Sequence, residues 1–252
     1  MTSQNNSSHP IKNLTNSAIA TAISEVLTLP ICTIRTNYIN QLYPKQTLSE
    51  LIKTNYNTYG LKWFFSAKYP AIAGQIISTS SKYTLYKVLP FYNPLNAFTS
   101  NKFLFDVSNS IGAGILTSLI THPLDYVKIQ TQMNNLNLNP KHVYRGYSKT
   151  FAKATIGGAT FLPIYDWAKD NFSNPILSSA FSAILSTIIM QPFDYLKIRN
   201  IYGISNFKYK NLFDGVGLNL LRIVPGFMIT MSLIEFLNKK VYTLEDLKCR
   251  FF

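Results

Sequence analysis

The chain has little with which to do covalent chemistry. Two cysteines, Cys32 and Cys249, are too few and too far apart for a disulfide framework or a metal set. The three histidines, His9, His122 and His142, are scattered, and there is no Gly-rich phosphate loop, H-E-x-x-H pattern or nucleophile elbow. An enzyme is therefore disfavoured, and neither a cofactor nor a metal is implied. His122, directly before Pro123, reads as a packing residue of a helix rather than a base. Acids are scarce, 11 against 24 lysines and arginines. No uninterrupted apolar run reaches the length that marks an isolated lipid-facing helix. The opening MTSQNNSSHPIKN has neither an arginine-rich amphipathic pattern nor an apolar signal core, so any targeting information is expected to be internal.

What is present is apolar for a soluble domain, with 47 % hydrophobic and only 14 % charged residues. Helices that line a watery cavity keep a polar face, so weakly hydrophobic spans are compatible with a membrane. Six are expected, near 14–40, 68–89, 104–131, 147–169, 175–199 and 216–238, and they leave no room for a separate soluble domain. The net charge of +13 is spread over span ends and loops rather than gathered in one patch. That spread argues against nucleic acid and for anionic lipid headgroups and an anionic solute.

Three stretches repeat one pattern of proline, any residue, acid, two residues, base: LPICTIR at 29–35, HPLDYVK at 122–128 and QPFDYLK at 191–197, the first with Cys32 in the acid slot. Each ends a membrane-length segment, and a second landmark follows each, GLKWFFSA ending at Ala67, HVYRG at Gly146 and NLFDG at Gly215. A pattern recurring in order marks internal repeats. The chain divides into an N-terminal tail 1–13, repeats 14–96, 97–172 and 173–240, and a C-terminal tail 241–252. Proline inside a helix removes a backbone bond, so Pro30, Pro123 and Pro192 are expected to kink three spans at one depth.

Asp125 with Lys128, and Asp194 with Lys197, each share a helix face. Around a common axis the acid of one repeat meets the base of another, giving expected bridges between Asp125 and Lys197 and between Asp194 and Arg35. The third bridge would need an acid at Cys32 to meet Lys128, and there is none. Charges in a membrane cost about 2.5–3.5 kcal/mol each by insertion scales and persist where they pair or line a path, so this ring reads as a gate. Small residues four apart, Ser17 and Thr21, Ser110 and Gly114, Ser179 and Ala183, predict close helix approach.

These residues resemble the mitochondrial carrier family, whose P-x-[DE]-x-x-[KR] signature occurs three times. The resemblance implies an all-α membrane protein of six transmembrane helices in three tandem repeats, a pseudo-threefold bundle in the mitochondrial inner membrane, monomeric and transporting by alternating access. It places the prolines and Arg35, Asp125, Lys128, Asp194 and Lys197 at a matrix gate, braced by Gln132 alone, since Ile39 and Ile201 fill the other two brace slots. A cytoplasmic gate is matched well only at Tyr165, Asp166 and Lys169, with Lys87 and Glu235 as weaker members. Only repeat 1, around 47–56, has room for the family's amphipathic matrix helix. The short length and the Asn, Lys, Ile and Tyr bias suggest a reduced carrier of a large virus or a parasite.

The family's contact points carry over to Gly74 with Gln75, Lys153 with Ala154, and Arg222 with Ile223. Lys82, eight residues past Gly74, is expected to face the same cavity. Lys153 and Arg222, read as uncompensated, favour a phosphate or carboxylate oxygen. Glu25 is an inward acid that could pair with Lys82, take a cationic part of the solute or accept a proton. The reading is an exchanger of small anions, nucleotides first, with keto acids, amino acids or a non-transporting adaptor as alternatives.

Overall fold

The computed structural model describes residues 10–42, 45–92, 102–135, 138–172, 175–204, 211–226, 228–230 and 233. Among them there is no strand. Long helices run at α1 (Pro10–Asn40), α3 (Lys68–Tyr92), α4 (Lys102–Gln132), α5 (Tyr147–Asn171) and α6 (Pro175–Tyr202), with a short amphipathic α2 (Leu48–Tyr59) after the first. A last helix, α7 (Val216–Thr230), is described to Thr230. The 3-10 turns Gly60–Phe65 and Pro140–His142 complete the elements. Apart from α2, these helices fall on the segments expected as spans, the last of them followed to Thr230 of the expected 216–238.

Pro30, Pro123 and Pro192 lie inside α1, α4 and α6, and each helix continues past its proline to Asn40, Gln132 and Tyr202. These spans are rich in hydroxyls, which return their bonds locally. Thr28 donates to the Ser24 carbonyl, Thr121 to that of Thr117 and Thr187 to that of Ala183, so polar side chains cost the helix little where water is absent. One correction concerns hydropathy. Although no single run is apolar throughout, Thr15–Asn40 is long and apolar enough to cross a membrane.

Neighbouring helices pack α1 on α3, α3 on α4, α4 on α5 and α5 on α6. Helix α7 closes the circle: Asn219 donates to the side chain of Gln191 on α6, and Ser24 on α1 donates to the Gly226 carbonyl. Where α4 meets α5 the backbones are close, as small residues predict. A Cβ added at Gly158 would stand 3.0 Å from the Ile111 Cα, and one at Gly114 would stand 3.5 Å from the Ala154 carbonyl oxygen.

Helix α2 forms for reasons written in its first turn. Thr47 accepts from the Glu50 backbone N–H and Glu50 accepts from that of Thr47, a reciprocal cap. These hydrogen bonds hold the Glu50 carboxyl below the usual glutamate range. Among the described residues of the corresponding connection in repeat 2, the element formed is the Pro140–His142 turn. Residues 205–210 of repeat 3 lie outside the described residues.

Candidate functional site

The proline ends of α1, α4 and α6 bring the signature residues together. The base five residues past one proline reaches the acid two past the proline of another repeat. Arg35 on α1 bonds Asp194 on α6 at 2.5 Å, and Lys197 on α6 bonds Asp125 on α4 at 2.6 Å. Both expected pairs are formed. The same step from α4 carries Lys128 toward position 32 on α1, where a buried thiol stands.

Lys128 is nevertheless paired. Its ammonium lies 2.5 Å from Glu25, seven residues before Cys32 and therefore on the same face of α1. This corrects the expectation of a missing third bridge. It also settles the partner of Glu25, which is not Lys82: its second oxygen accepts from Arg222 on α7 at 2.8 Å. Lys153 on α5 is likewise not uncompensated, because it bonds the free oxygen of Asp194 at 2.5 Å. Each of two carboxylates thus holds one signature base and one contact-point base. Sequence offsets fix a residue's height on its helix but not how far a lysine or arginine reaches, so these cross-links were not legible.

A second layer lies half a turn beyond the charged one. Asn37, seven past Pro30, donates to the Gln132 carbonyl; Gln130, seven past Pro123, donates to the Ile201 carbonyl; Arg199, seven past Pro192, donates to the Ile39 carbonyl at 2.9 Å. The three acceptors each stand nine residues past a proline. Three residue types therefore make one contact, repeated around a closed ring. Sequence reasoning missed it, although three polar donors at one repeat offset were the available signal.

Glycines seat that ring. Gly146 and Gly215 adopt φ of 79° and 76°, and an added Cβ would come within 3.1 Å of Asn200 and 3.2 Å of Ile39. Gln132 bonds Thr36 at 2.8 Å through its side-chain oxygen and Thr33 through its nitrogen, tying α4 to α1. Gln191, just before Pro192, accepts from Arg35 and Asn219 and donates to the Asp214 carbonyl. The residue before the second proline, His122, is fully buried, with Nδ1 on the Thr150 hydroxyl and Nε2 on the Arg145 carbonyl. It packs helices together, as the sequence indicated.

Above these layers is a cavity of about 830 Å³. Gly74, Gln75, Lys82, Lys153, Ala154, Arg222 and Ile223 all line it, as do Arg35, Asp125, Lys128, Gln132, Asp194 and Lys197. Lys82 makes no ion pair among the described residues. Glu235 lies outside the described residues, and so do the side chains of Lys87, Tyr165, Asp166 and Lys169.

Long helices around a charged, solvent-sized cavity, tied at one end by repeated contacts, have the build of a membrane solute carrier. The chain belongs to the mitochondrial carrier family. It is 46 % identical over 237 residues to a mitochondrial carrier-like protein of Acanthamoeba polyphaga mimivirus, covering 90 % of this chain and 96 % of that protein. The family profile described as "Mitochondrial carrier protein" matches residues 6–91. The chain is also 23 % identical over 293 residues to a mitochondrial oxaloacetate transport protein of Schizosaccharomyces pombe, with 91 % of each covered. A mitochondrial substrate carrier family protein of Dictyostelium discoideum is 27 % identical over 136 residues, 40 % of this chain and 37 % of that protein. It is thus a short member of a family of membrane proteins that carry small solutes rather than catalyse reactions.

Proposed function

We propose that the chain moves a small, multiply charged anion across the mitochondrial inner membrane by alternating access. In this reading α1, α3, α4, α5, α6 and α7 cross the membrane as three tandem repeats in pseudo-threefold order, with boundaries at 14–96, 97–172 and 173–240. The prolines face the matrix. The charged layer is the closed matrix gate, and Lys87, Tyr165, Asp166, Lys169 and Glu235 belong to the opposite gate.

The observation that carries this reading is a charge count. Among the described residues six cations, Arg35, Lys82, Lys128, Lys153, Lys197 and Arg222, line the cavity, and the carboxylates that meet them are Asp125, Asp194 and Glu25. Cations in excess inside a bundle need compensation from what enters it, because unpaired charge away from water is costly. Phosphate oxygens fit an arginine fork and two lysines, and several negative charges on one solute match the excess better than a single carboxylate. A nucleotide is the first choice, exchanged for another. A dicarboxylate is the second, favoured by the activity named for the fission-yeast relative. The 46 % identical mimivirus protein supports a viral origin for this reduced carrier.

The test is uptake by purified protein in liposomes, comparing a nucleoside triphosphate with a keto acid. Arg222→Ala and Lys153→Ala are each expected to lower apparent affinity roughly ten- to hundredfold, the loss of a charge-assisted hydrogen bond of about 1.5–3 kcal/mol. Arg222→Lys recovers part of it. Wild-type uptake of neither solute would leave a carrier fold that acts as an adaptor.

A further inference from the structure

The pairing rule of the charged layer is set by two of its arms. Arg35 goes to the acid two past Pro192 and Lys197 to the acid two past Pro123. By that rule Lys128 belongs with position 32, two past Pro30, and Cys32 cannot supply the charge. A buried ammonium without a carboxylate is costly enough that the arm would be lost. Instead Lys128 meets a carboxylate two helical turns along the same face, about 10 Å deeper by helix rise. Glu25 is itself buried, at 6 % exposure, and so cannot exchange Lys128 for water without the helices moving.

We propose that Glu25 is the third acid of the gate, relocated from the signature position to a buried place behind Lys128 and Arg222, the two cations that line the solute cavity there. This rests on the carrier reading above. The relocation gives this arm a link to the solute site like the one that Asp194 has through Lys153. Glu25 is held from opposite sides by Lys128 of the gate and by Arg222 of the solute site, at 2.5 and 2.8 Å. An anion that captures Arg222 withdraws one of the two cations that neutralise Glu25 and fix its position. Solute arrival is therefore coupled directly to the arm between α1 and α4. Among the described residues the Asp125 carboxylate has no ion pair to a contact point, because the pair on α3 is Gly74 and Gln75, and neither carries a charge.

The experiment is a double-mutant cycle on the full chain in detergent, read by thermal unfolding. Glu25→Gln strands Lys128 and is expected to lower the unfolding temperature by roughly 5–10 °C. Adding Cys32→Asp puts a carboxylate back where the pairing rule requires it, and at least half of that loss is expected to return. Cys32→Asp alone is expected to raise stability little, since Lys128 is already paired. No loss from Glu25→Gln would overturn the proposal, and so would a double variant that recovers nothing or fails to fold. The readout does not depend on transport. Absent uptake by the wild-type protein would thus count against the carrier reading while leaving the Glu25 to Lys128 contact to be judged by the cycle.

Discussion

The two layers at the proline end solve one problem in different ways. The charged layer joins side chain to side chain and is not symmetric, because position 32 holds a cysteine and Lys128 meets Glu25 at another height on α1. The neutral layer half a turn away keeps all three contacts with Asn37, Gln130 and Arg199, three different side chains, in one role. The difference lies in the acceptor. A carboxylate has to be encoded at its position, whereas a carbonyl is supplied by whatever residue stands there.

The strongest way to break the charged layer is at its shared acid. Asp194→Asn removes the partner of both the buried Arg35 and the half-buried Lys153 and is expected to destabilise by about 3–5 kcal/mol, chiefly the cost of stranding the Arg35 guanidinium. Asp125→Asn, which strands Lys197 alone at a side chain 34 % exposed, is expected to cost less. Chemical or thermal unfolding of both variants in one detergent checks the order, and equal losses would mean that the second bond to Lys153 adds nothing.

The neutral layer is expected to yield less. Gln130→Ala deletes one donor to a carbonyl, a loss of about 0.5–1.5 kcal/mol, and Asn37→Ala the same. Arg199→Ala is expected to exceed both, because its guanidinium donates to the carbonyls of Ile39 and Gln41. Arg199→Gln restores a single amide donor and is expected to bring the cost back into the range of the other two. If Arg199→Gln is as damaging as alanine, the arginine acts through its charge and not through the repeated contact.

The smallest effect sharpens the same contrast within one cap. In α2 the bond from the Glu50 N–H to Thr47 is neutral, and the bond from the Thr47 N–H to Glu50 ends on a carboxylate. Because folding lowers the Glu50 pKa below the ordinary glutamate value, the stabilisation is present above that value and fades as the pH falls through the folded one. The protection of amides in 47–59, taken against the intrinsic exchange rate at each pH, is expected to fall modestly between pH 6 and acid. Glu50→Gln abolishes that dependence, and Thr47→Ala weakens the cap at either pH.

How much of this was legible follows from what each feature requires. The helices and the pairs Arg35 with Asp194 and Lys197 with Asp125 could be read because proline, acid and base recur at fixed offsets, and offset is what a sequence records. The shift of Lys128 to Glu25, and the ties from Lys153 and Arg222, depend on relative height between helices and on side-chain reach. The ring through Asn37, Gln130 and Arg199 escaped for another reason: its members share a geometry and no single side-chain chemistry. The opposite gate expected at Tyr165, Asp166 and Lys169 falls on side chains that lie outside the described residues.

The use of carbonyls as acceptors at positions 39, 132 and 201 reaches beyond stability. Half of every contact in that ring is immune to mutation, and the other half tolerates any side chain long enough to present an N–H. These positions can therefore be rewritten one at a time without passing through a broken intermediate. A charged pair offers no such path, since changing either member first leaves the other exposed to selection.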